Sequence, residues 1–598
     1  SHGPGTERDI TRTRSQTVDR LHRLRQNHSA MSIDVRSAAI RHIAQLLLAG
    51  LLAGCVASPA AAPQSSAPTP PPPPPPPPQV QVQTKESPLA AAGNCTGTFV
   101  AHDLDHITSA GQAVPRLFDS NGSGLAVNDL DDDGDPDIVL ANLSGPATIL
   151  WNQGGLNFEK QTLPMVHRTR AVALVDVDAD GLLDIVFTSG VAAPAAFRNL
   201  GDRTFRFLPL PGVTAPAYAM NWSDLDQDGD LDLVTGSYDA GQSIELGPNY
   251  LFADAAGVNV YMQENGSWRR QRLADKAQAL AVGLWDLDGD GRPDIWIGND
   301  FDEHDQVWLQ TGEGGWKEAE PFVHTTHSTM GIDRGDVDNN GSPEYYATDM
   351  KPFDLDPGTL AKWMPLMDAA SKRRTRDDPQ VMENVLQVKH GDRYQNEGYE
   401  RRVDAEGWSW SGKFGDLDVD GDLDLYVVNG MIAADLLDHL PGGELVEANQ
   451  ALRNDGGQFT EVPEWGLAST RSGRGMSMAD FDGDGDLDIV VNNLDQPAQL
   501  FENRLCNEGD RLVLDLHWPG SHNPFAIGAT VLLHTDKGDL LRDVRAVSGY
   551  LSGDSTQLQL GLAPGAKAAG LTVVWPDGAE SRVDNLTVNQ HLIVTRGN

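Results

Sequence analysis

Short apolar runs of four to six residues recur along the middle of the chain, among them Asp-Ile-Val-Leu (137–140), Asp-Ile-Val-Phe (184–187), Asp-Leu-Tyr-Val-Val (424–428) and Asp-Ile-Val-Val (488–491). They are too short for helices and rich in β-branched residues, and turn residues bound each one, so they predict buried strands. Downstream of many of them lies a second pattern, as in Leu-Trp-Asn-Gln-Gly-Gly-Leu-Asn-Phe (150–158), Phe-Arg-Asn-Leu-Gly-Asp-Arg-Thr-Phe (197–205) and Leu-Arg-Asn-Asp-Gly-Gly-Gln-Phe (452–459). This reads as a hairpin turned by Asn-x-Gly. Each unit then holds about four strands, and four short strands in roughly 40 to 50 residues is the pattern of a propeller blade.

Between the first two strands of every unit sits an acidic loop, Asp-x-Asp-x-(Asp/Asn)-Gly-x-x-(Asp/Glu), written seven times. Seven blades and a closed ring follow. The candidate metal ligands, at loop positions 1, 3, 5 and 9, are Asp129, Asp131, Asp133 and Asp137; Asp176, Asp178, Asp180 and Asp184; Asp224, Asp226, Asp228 and Asp232; and Asp286, Asp288, Asp290 and Asp294. The last three sets are Asp336, Asp338, Asn340 and Glu344; Asp416, Asp418, Asp420 and Asp424; and Asp480, Asp482, Asp484 and Asp488. The glycine at position 6 permits the sharp turn that lets these side chains converge. Hard oxygen donors without Cys or His suit Ca²⁺, so about seven calcium ions are expected. Position 7 varies freely, as it would if its backbone carbonyl were the ligand. The fifth loop carries Asn340 and Glu344 and is expected to be the weakest or most distinct site. An EF-hand shares positions 1, 3, 5 and 6 but requires a Glu at position 12 and flanking helices, whereas position 12 is Leu140 in the first loop and Val491 in the last.

The net charge of −41 over 598 residues comes largely from these loops. It argues against a nucleic-acid partner, which rewards clustered Lys and Arg. It also predicts that folding and cation binding are linked.

The amino terminus predicts export. Residues 1–30 are Arg-rich and polar and read as an upstream extension, with translation expected to begin at Met31. Residues 31–54 form a signal-peptide pattern whose apolar run, 43–54, is too short to span a bilayer. It ends Leu-Ala-Gly-Cys, which resembles a bacterial lipobox. That resemblance implies lipidation of Cys55, with a cleaved secretory signal as the alternative, and a location in the bacterial envelope, at the outer membrane or cell surface. Residues 55–88 are rich in Ala and Pro, with nine prolines at 70–78, and read as a stiff tether. Cys95 and Cys506 flank the repeats at positions that a closed ring brings together. A disulfide between them is expected, free buried thiols being the alternative.

The repeats, 89–505, resemble the FG-GAP/VCBS blades also found in integrin α-subunit propellers. After Cys506 the acidic loops stop, and 506–598 reads as a small β-sandwich. Its Asn-Pro-Phe-Ala-Ile-Gly-Ala-Thr-Val (523–531), Arg-Ala-Val-Ser-Gly-Tyr-Leu-Ser (545–552) and Val-Val-Trp-Pro-Asp-Gly (573–578) are similar to the ASPIC/UnbV domain. The pairing resembles the cartilage-acidic-protein family. The expected fold is thus all-β, a seven-bladed integrin-α-like propeller followed by a β-sandwich. Two insertions are expected, 243–257 in the fourth unit and a partly helical, solvent-facing 353–388 in the sixth interval.

For function, the reading favours a lipid-anchored module binding a protein or glycan partner, by analogy with integrin-like blades. The alternative is an envelope lyase, hydrolase or cyclase near His324 and His327, with His304 and a neighbouring calcium loop contributing. Trp408 and Trp410 suggest sugar stacking or packing between blades.

Overall fold

The computed structural model describes residues 77–91, 93–163, 168–247, 249, 256–264, 266–301, 303–312, 314–371, 378–505 and 509–597. The lipobox, residues 1–76 as a whole, and Cys506 lie outside them. No helix among the described residues is long and apolar enough to cross a membrane.

Seven antiparallel sheets form the repeat region, each with its acidic loop between the first and second strands. The innermost strands are Leu125–Asn128, Val172–Val175, Ala219–Ser223, Ala279–Trp285, Ile332–Gly335, Gly407–Gly415 and Gly473–Ala479, for blades 1 to 7. The register is constant: the residue before each loop pairs with loop position 9, as in Asn128↔Asp137, Val175↔Asp184, Gly335↔Glu344 and Ala479↔Asp488. Blade 7 takes its outer strand from the front of the chain. Val100–Ile107 pairs with Pro497–Glu502, beginning Val100↔Glu502, and this closes the ring.

Both insertions fall one blade earlier than the sequence reading placed them. Residues 243–257 lie in blade 3, between strands Asp232–Gly236 and Val258–Glu264, and include part of helix α1 (Asp239–Leu246). Residues 353–388 belong to blade 5, between strands Glu344–Ala347 and Val385–His390, and carry helix α2 (Pro357–Ser371). Counting acidic loops rather than strands caused the shift, because each insertion precedes the third strand of its own blade. Helix α2 buries Trp363, whose ring lies 6.1 Å from that of Trp408, and leaves Met364 exposed.

The carboxy-terminal segment is a sandwich of two four-stranded sheets. One is ordered Val82–Pro88, Gln590–Arg596, Asp510–His517, Leu558–Leu562, and the other Gly538–Asp543, Thr530–Thr535, Ala568–Val574, Glu580–Asp584. Residues 82–88, read from composition as the end of a free tether, therefore form an edge strand of this domain, from Val82↔Arg596 to Pro88↔Gln590. The alternation Val-Gln-Thr-Lys-Glu-Ser is too polar to announce a strand, and backbone pairing rather than burial holds it.

The sandwich also fills the centre of the ring. Residues 545–554 leave it and enter the channel lined by the innermost strands, where they pair with or bond to six of the seven blades. Gly553 pairs with Ala126 of blade 1. Val172 of blade 2 donates its N–H to Leu551 O at 3.2 Å, Asn221 of blade 3 donates to Val547 O at 3.1 Å, and Ile332 of blade 5 exchanges two backbone bonds with Gly549. Ser411 Oγ of blade 6 accepts Tyr550 N–H at 3.2 Å, and Met476 of blade 7 donates to Ser552 Oγ at 3.1 Å. The approach demands glycine: a Cβ on Gly124 would stand 1.8 Å from Leu551 O. Tyr550, fully buried, reaches the far mouth and donates its hydroxyl to Asn121 O at 2.8 Å, beside Tyr218 and Trp410. Propeller and sandwich consequently share one apolar core.

Tyr550→Ala should lower the free energy of unfolding by about 3–5 kcal/mol, as removal of a buried aromatic ring does. Tyr550→Phe, which keeps the ring and loses the hydroxyl's bonds to Asn121 and Tyr218, should cost about 1–2 kcal/mol. Urea unfolding followed by tryptophan fluorescence reads both.

Candidate metal centres

The acidic loops fold through the same internal bonds, except that in the third Asp224 accepts only from Gly229 and leaves its Oδ1 buried without a donor. The position 1 carboxylate accepts backbone N–H groups from positions 5 and 6, as Asp129 does from Asp133 at 3.2 Å and Gly134 at 2.8 Å, and Asp416 from Asp420 and Gly421, both at 3.0 Å. The position 5 oxygen accepts the N–H of position 7, as between Asp135 and Asp133 or Ser342 and Asn340. Position 9 accepts the N–H of position 2, as Asp137 does from Leu130 at 3.1 Å and Glu344 from Val337 at 3.1 Å. The position 6 glycines all have φ between 83° and 96°.

A second strained residue escaped the sequence reading. Position 4 is left-handed in every loop: Asp132, Ala179, Gln227, Gly289, Asn339, Val419 and Gly483 have φ from 52° to 90°. Only two of the seven are glycine, and Val419 is β-branched, a residue type for which this conformation is costly. Nothing in the residue types signals it.

These loops have the donor chemistry for a cation. In five of them three carboxylates place an oxygen each within 4.8 Å of one another: Asp129, Asp131 and Asp137; Asp176, Asp178 and Asp184; Asp224, Asp226 and Asp228; Asp286, Asp288 and Asp290; Asp336, Asp338 and Glu344. At position 3, Oδ1 of Asp131, Asp178, Asp338 and Asp418 is buried with no hydrogen-bond partner. In three of these the other oxygen faces an arginine: Arg203 for Asp131, Arg198 for Asp178 and Arg401 for Asp338. A buried, unpaired carboxylate oxygen is costly, and a cation among the loop oxygens relieves it. Burial, reinforced by the neighbouring loop carboxylates and opposed by backbone donors, pushes the position 9 acids far up: Asp137 and Glu344 to about 8, Asp232 to about 9, Asp184 and Asp294 to about 7.

The loops are also joints between blades. The second oxygen of position 9 accepts an N–H from the end of its own blade's third strand, from Asn152, Asn199, Gln263, Gln310, Asn454 or Asn503, all at 2.7–2.8 Å. Five of these residues then extend a side-chain amide to the position 2 carbonyl of the preceding blade. Asn152 reaches Phe481, Asn199 Leu130, Gln310 Leu225, Asn454 Val337 and Asn503 Leu417, at 2.6–2.8 Å. Blade 5 substitutes Lys389 and Tyr394, which donate to Leu287 O at 3.0 and 2.8 Å. Among the described residues, Glu344 has no third-strand donor, so the fifth loop differs from the rest in its wiring as in its sequence. The Asn of the Asn-x-Gly hairpin, read from sequence as a turn former, is therefore an inter-blade latch. Its spacing of 15 residues after position 9 in blades 1, 2 and 7 was the available signal.

The other candidates lie at the opposite strand ends, where the Gln380 amide donates to the carbonyls of Phe301, Glu303 and His327. His324 is exposed, and Gln387 donates to its backbone carbonyl at 2.6 Å. His327 is buried, its N–H donating to Asp349 at 2.7 Å and its Nδ1 lying 3.2 Å from Ser328 Oγ. His304 is exposed, 3.8 Å from the Asp378 carboxylate. All three sit at strand ends remote from the acidic loops. Trp408 and Trp410 are buried, Trp410 donating to Gly430 O at 2.8 Å beneath the Arg474 guanidinium, so they pack rather than present a stacking surface. Cys95 is disulfide-bonded, and the neighbouring Thr96 and Gly97 donate to Arg504 O, two residues short of Cys506.

Asn503→Ala strips the donor from the buried Leu417 carbonyl and should cost about 1–3 kcal/mol in urea unfolding. The raised carboxyls set a pH dependence for the chain in chelator. The folded state binds more protons than the unfolded state from the ordinary carboxylate range of about 4 up to about 8. Stability in chelator should therefore fall as pH rises through that window, and thermal melts at pH 5 and pH 8 should show the higher Tm at pH 5.

Comparison with known proteins agrees with this architecture. Residues 519–598 match the ASPIC and UnbV family, and 129–187, 176–235, 286–347 and 442–491 match the FG-GAP-like repeat. The chain is 36% identical to cartilage acidic protein 1 of Xenopus tropicalis over 128 residues, which is 20% of this chain and 19% of that relative's length. Among solved structures, the BP39L lectin from Burkholderia pseudomallei superposes with a TM-score of 0.40 at 10% identity, covering 64% of this chain and 95% of the lectin. The Pan2 WD40 domain of Neurospora crassa gives 0.38 at 8% identity, covering 69% and 98%. A ring of seven blades with acidic loops, sealed by a carboxy-terminal sandwich, makes this chain an FG-GAP-repeat β-propeller with an ASPIC/UnbV domain.

Proposed function

We propose that this protein is a calcium-stabilised, extracytoplasmic interaction module, anchored by lipid at Cys55 and closed by a Cys95–Cys506 disulfide, which binds a protein or glycan on its ring. The observation that carries the calcium reading is the repeated buried position 3 oxygen without a donor, set among two or three further carboxylates. The donors are oxygens alone, the preference of Ca²⁺ rather than of zinc or copper. Positions 1, 3, 5 and 9 of each loop would hold the ion, and the ion supplies the positive charge that the loop lacks. Its role is structural: it neutralises carboxylates whose backbone bonds fix the first hairpin of each blade and the latch to the next.

The face away from the acidic loops supports the binding role. There α1 and α2 add to the rigid ring and expose Ile244, Leu355 and Met364, the kind of insertion on which recognition concentrates. The channel, where propellers often place small-molecule sites, is filled by 545–554.

Elemental analysis of the purified chain should find about seven calcium ions, the number of loops. Chelation should lower Tm markedly, since free calcium at a hundredfold over Kd adds about 2.7 kcal/mol per site. An unchanged Tm with fewer than about two ions bound rejects the assignment. Asp480→Ala and Asp129→Ala should each cost more than Asp336→Ala in the fifth loop. Affinity capture from native envelope, run in calcium and again in chelator, tests the binding role. A partner retained only in calcium supports it, and none retained by folded, calcium-loaded protein counts against it.

A further inference from the structure

The sandwich does not cover the acidic face evenly. It packs against the loops of blades 3, 5, 6 and 7: Ser521 Oγ donates to Gly229 O at 2.9 Å, Arg542 to Gly421 O at 3.2 Å, and Arg511 to Asp484 O at 3.1 Å, while Arg334 of blade 5 pairs with Asp543 at 2.6 Å. Over blade 4 it stands away. The space left between blades 3 to 5 and the sandwich is a cavity of about 470 Å³, within the range of about 300–1,000 Å³ typical of small-molecule sites.

Its wall is unlike the rest of this acidic protein. Four cations line it: Arg292 and Arg334 from the propeller, Lys389 from blade 5, and Arg545 from the sandwich. Arg334 pairs with Asp543, and Arg545 with Asp333 at 2.5 Å. Arg292 pairs with Asp290, and Lys389 Nζ donates to a backbone carbonyl over the face of Tyr394. Asp290, and the lining residues Asp224 and Asp286, are loop carboxylates. Once cations occupy the loops, four basic groups face three remaining carboxylates, Asp333, Asp543 and Asp554, the last 3.9 Å from Arg545 and shared with Lys413. Trp285 and Trp575 border the cavity but are packed, 7% and 1% exposed, so the open wall is polar, with Gln227 and Thr530 among its residues.

We propose that this cavity binds a small oxyanion-bearing polyol, of the size of one or two sugar rings, with the anion on the basic groups and the hydroxyls toward the polar wall at Gln227 and Thr530. The proposal rests on the calcium reading, because unfilled loops would leave the wall acidic. A carboxylate and a phosphate present the same chemistry here, a compact group of charged acceptor oxygens that guanidinium and ammonium groups bind.

Isothermal titration of the full chain in calcium, with galacturonate, glucose 6-phosphate and glucose as probes, tests it. Either or both oxyanions should bind, at least tenfold more tightly than glucose, and the one that binds identifies the group. Lys389→Gln should weaken binding tenfold or more. Ser342→Glu, which places a negative side chain on an exposed lining residue and removes no wall contact, should do the same and keeps the test valid if Lys389→Gln fails to fold. Equal binding of glucose, absence of binding by either oxyanion, or indifference to Ser342→Glu overturns the proposal. Calcium content measured on the same sample separates the two readings: calcium-loaded protein that ignores both oxyanions rejects the cavity site alone, and protein that holds no calcium rejects both.

Discussion

The architecture depends on what the position 9 carboxylate does with its two oxygens. One holds the start of the acidic loop, and the other holds the end of the third strand in the same blade. The residue held there then reaches sideways to the preceding loop. In six blades a buried charge thus ties the third strand to the loop, and in five of them one amide ties the blade to its neighbour, while blade 5 makes that link through Lys389 and Tyr394. Hydrogen bonds to an ionised acceptor are about twice as strong as neutral ones, but only while the acceptor stays ionised. Burial works against that in every loop. A bound cation would favour the ionised form, so the wiring of the ring and the occupancy of the loops are one problem.

The second constraint is the centre. Seven inner strands enclose a channel whose edges carry unpaired backbone groups and small side chains, and water or protein must satisfy them. Residues 545–554 do so with alternating glycines, serines and a single long tyrosine. Gly549 pairs with blade 5 and faces blade 6, where a side chain would collide with Ser411 and Lys413, Gly553 lies against Ala126 of blade 1, and Tyr550 spans the remaining depth. The sandwich is thereby a structural part of the ring, sharing its core, and the outer strand of blade 7 and the sandwich edge strand both come from residues 82–107. Chain ends and chain centre are tied at one place.

Much of this was legible beforehand. Seven loops, their spacing and the apolar runs after them dictated blades, and the flanking cysteines pointed to the closure. What the residues concealed has a common cause: it depends on partners far away in sequence. Val82–Pro88 has no apolar periodicity because its backbone alone joins the sheet. The Arg-Ala-Val-Ser-Gly-Tyr segment resembles any loop until six blades surround it. The latch asparagines already had a sufficient local explanation as turn formers, and a residue with one adequate reason conceals a second. His324 and His327 part company in the fold: His324 is exposed, while His327 is buried against Asp349 with Asp300 nearby.

Charge decides how far the ring could survive without its cations. The loops carry between three and six acidic side chains, six in the first and three in the fifth, and each has an arginine beside it: Arg203, Arg198, Arg269, Arg292, Arg401, Arg453 and Arg511 for loops one to seven. In the second and fourth loops, one guanidinium and one divalent ion against four carboxylates leave a single negative charge. Without the ion the deficit is three, and the raised carboxyls answer it by holding protons. Arg542, buried between loops five and six, adds a further fixed charge where the sandwich presses closest. The fifth loop, with three acids, Arg401 and a share of Arg542, therefore has the most built-in compensation, and the first, with six acids and Arg203, the least, so cation loss should loosen the first loop before the fifth.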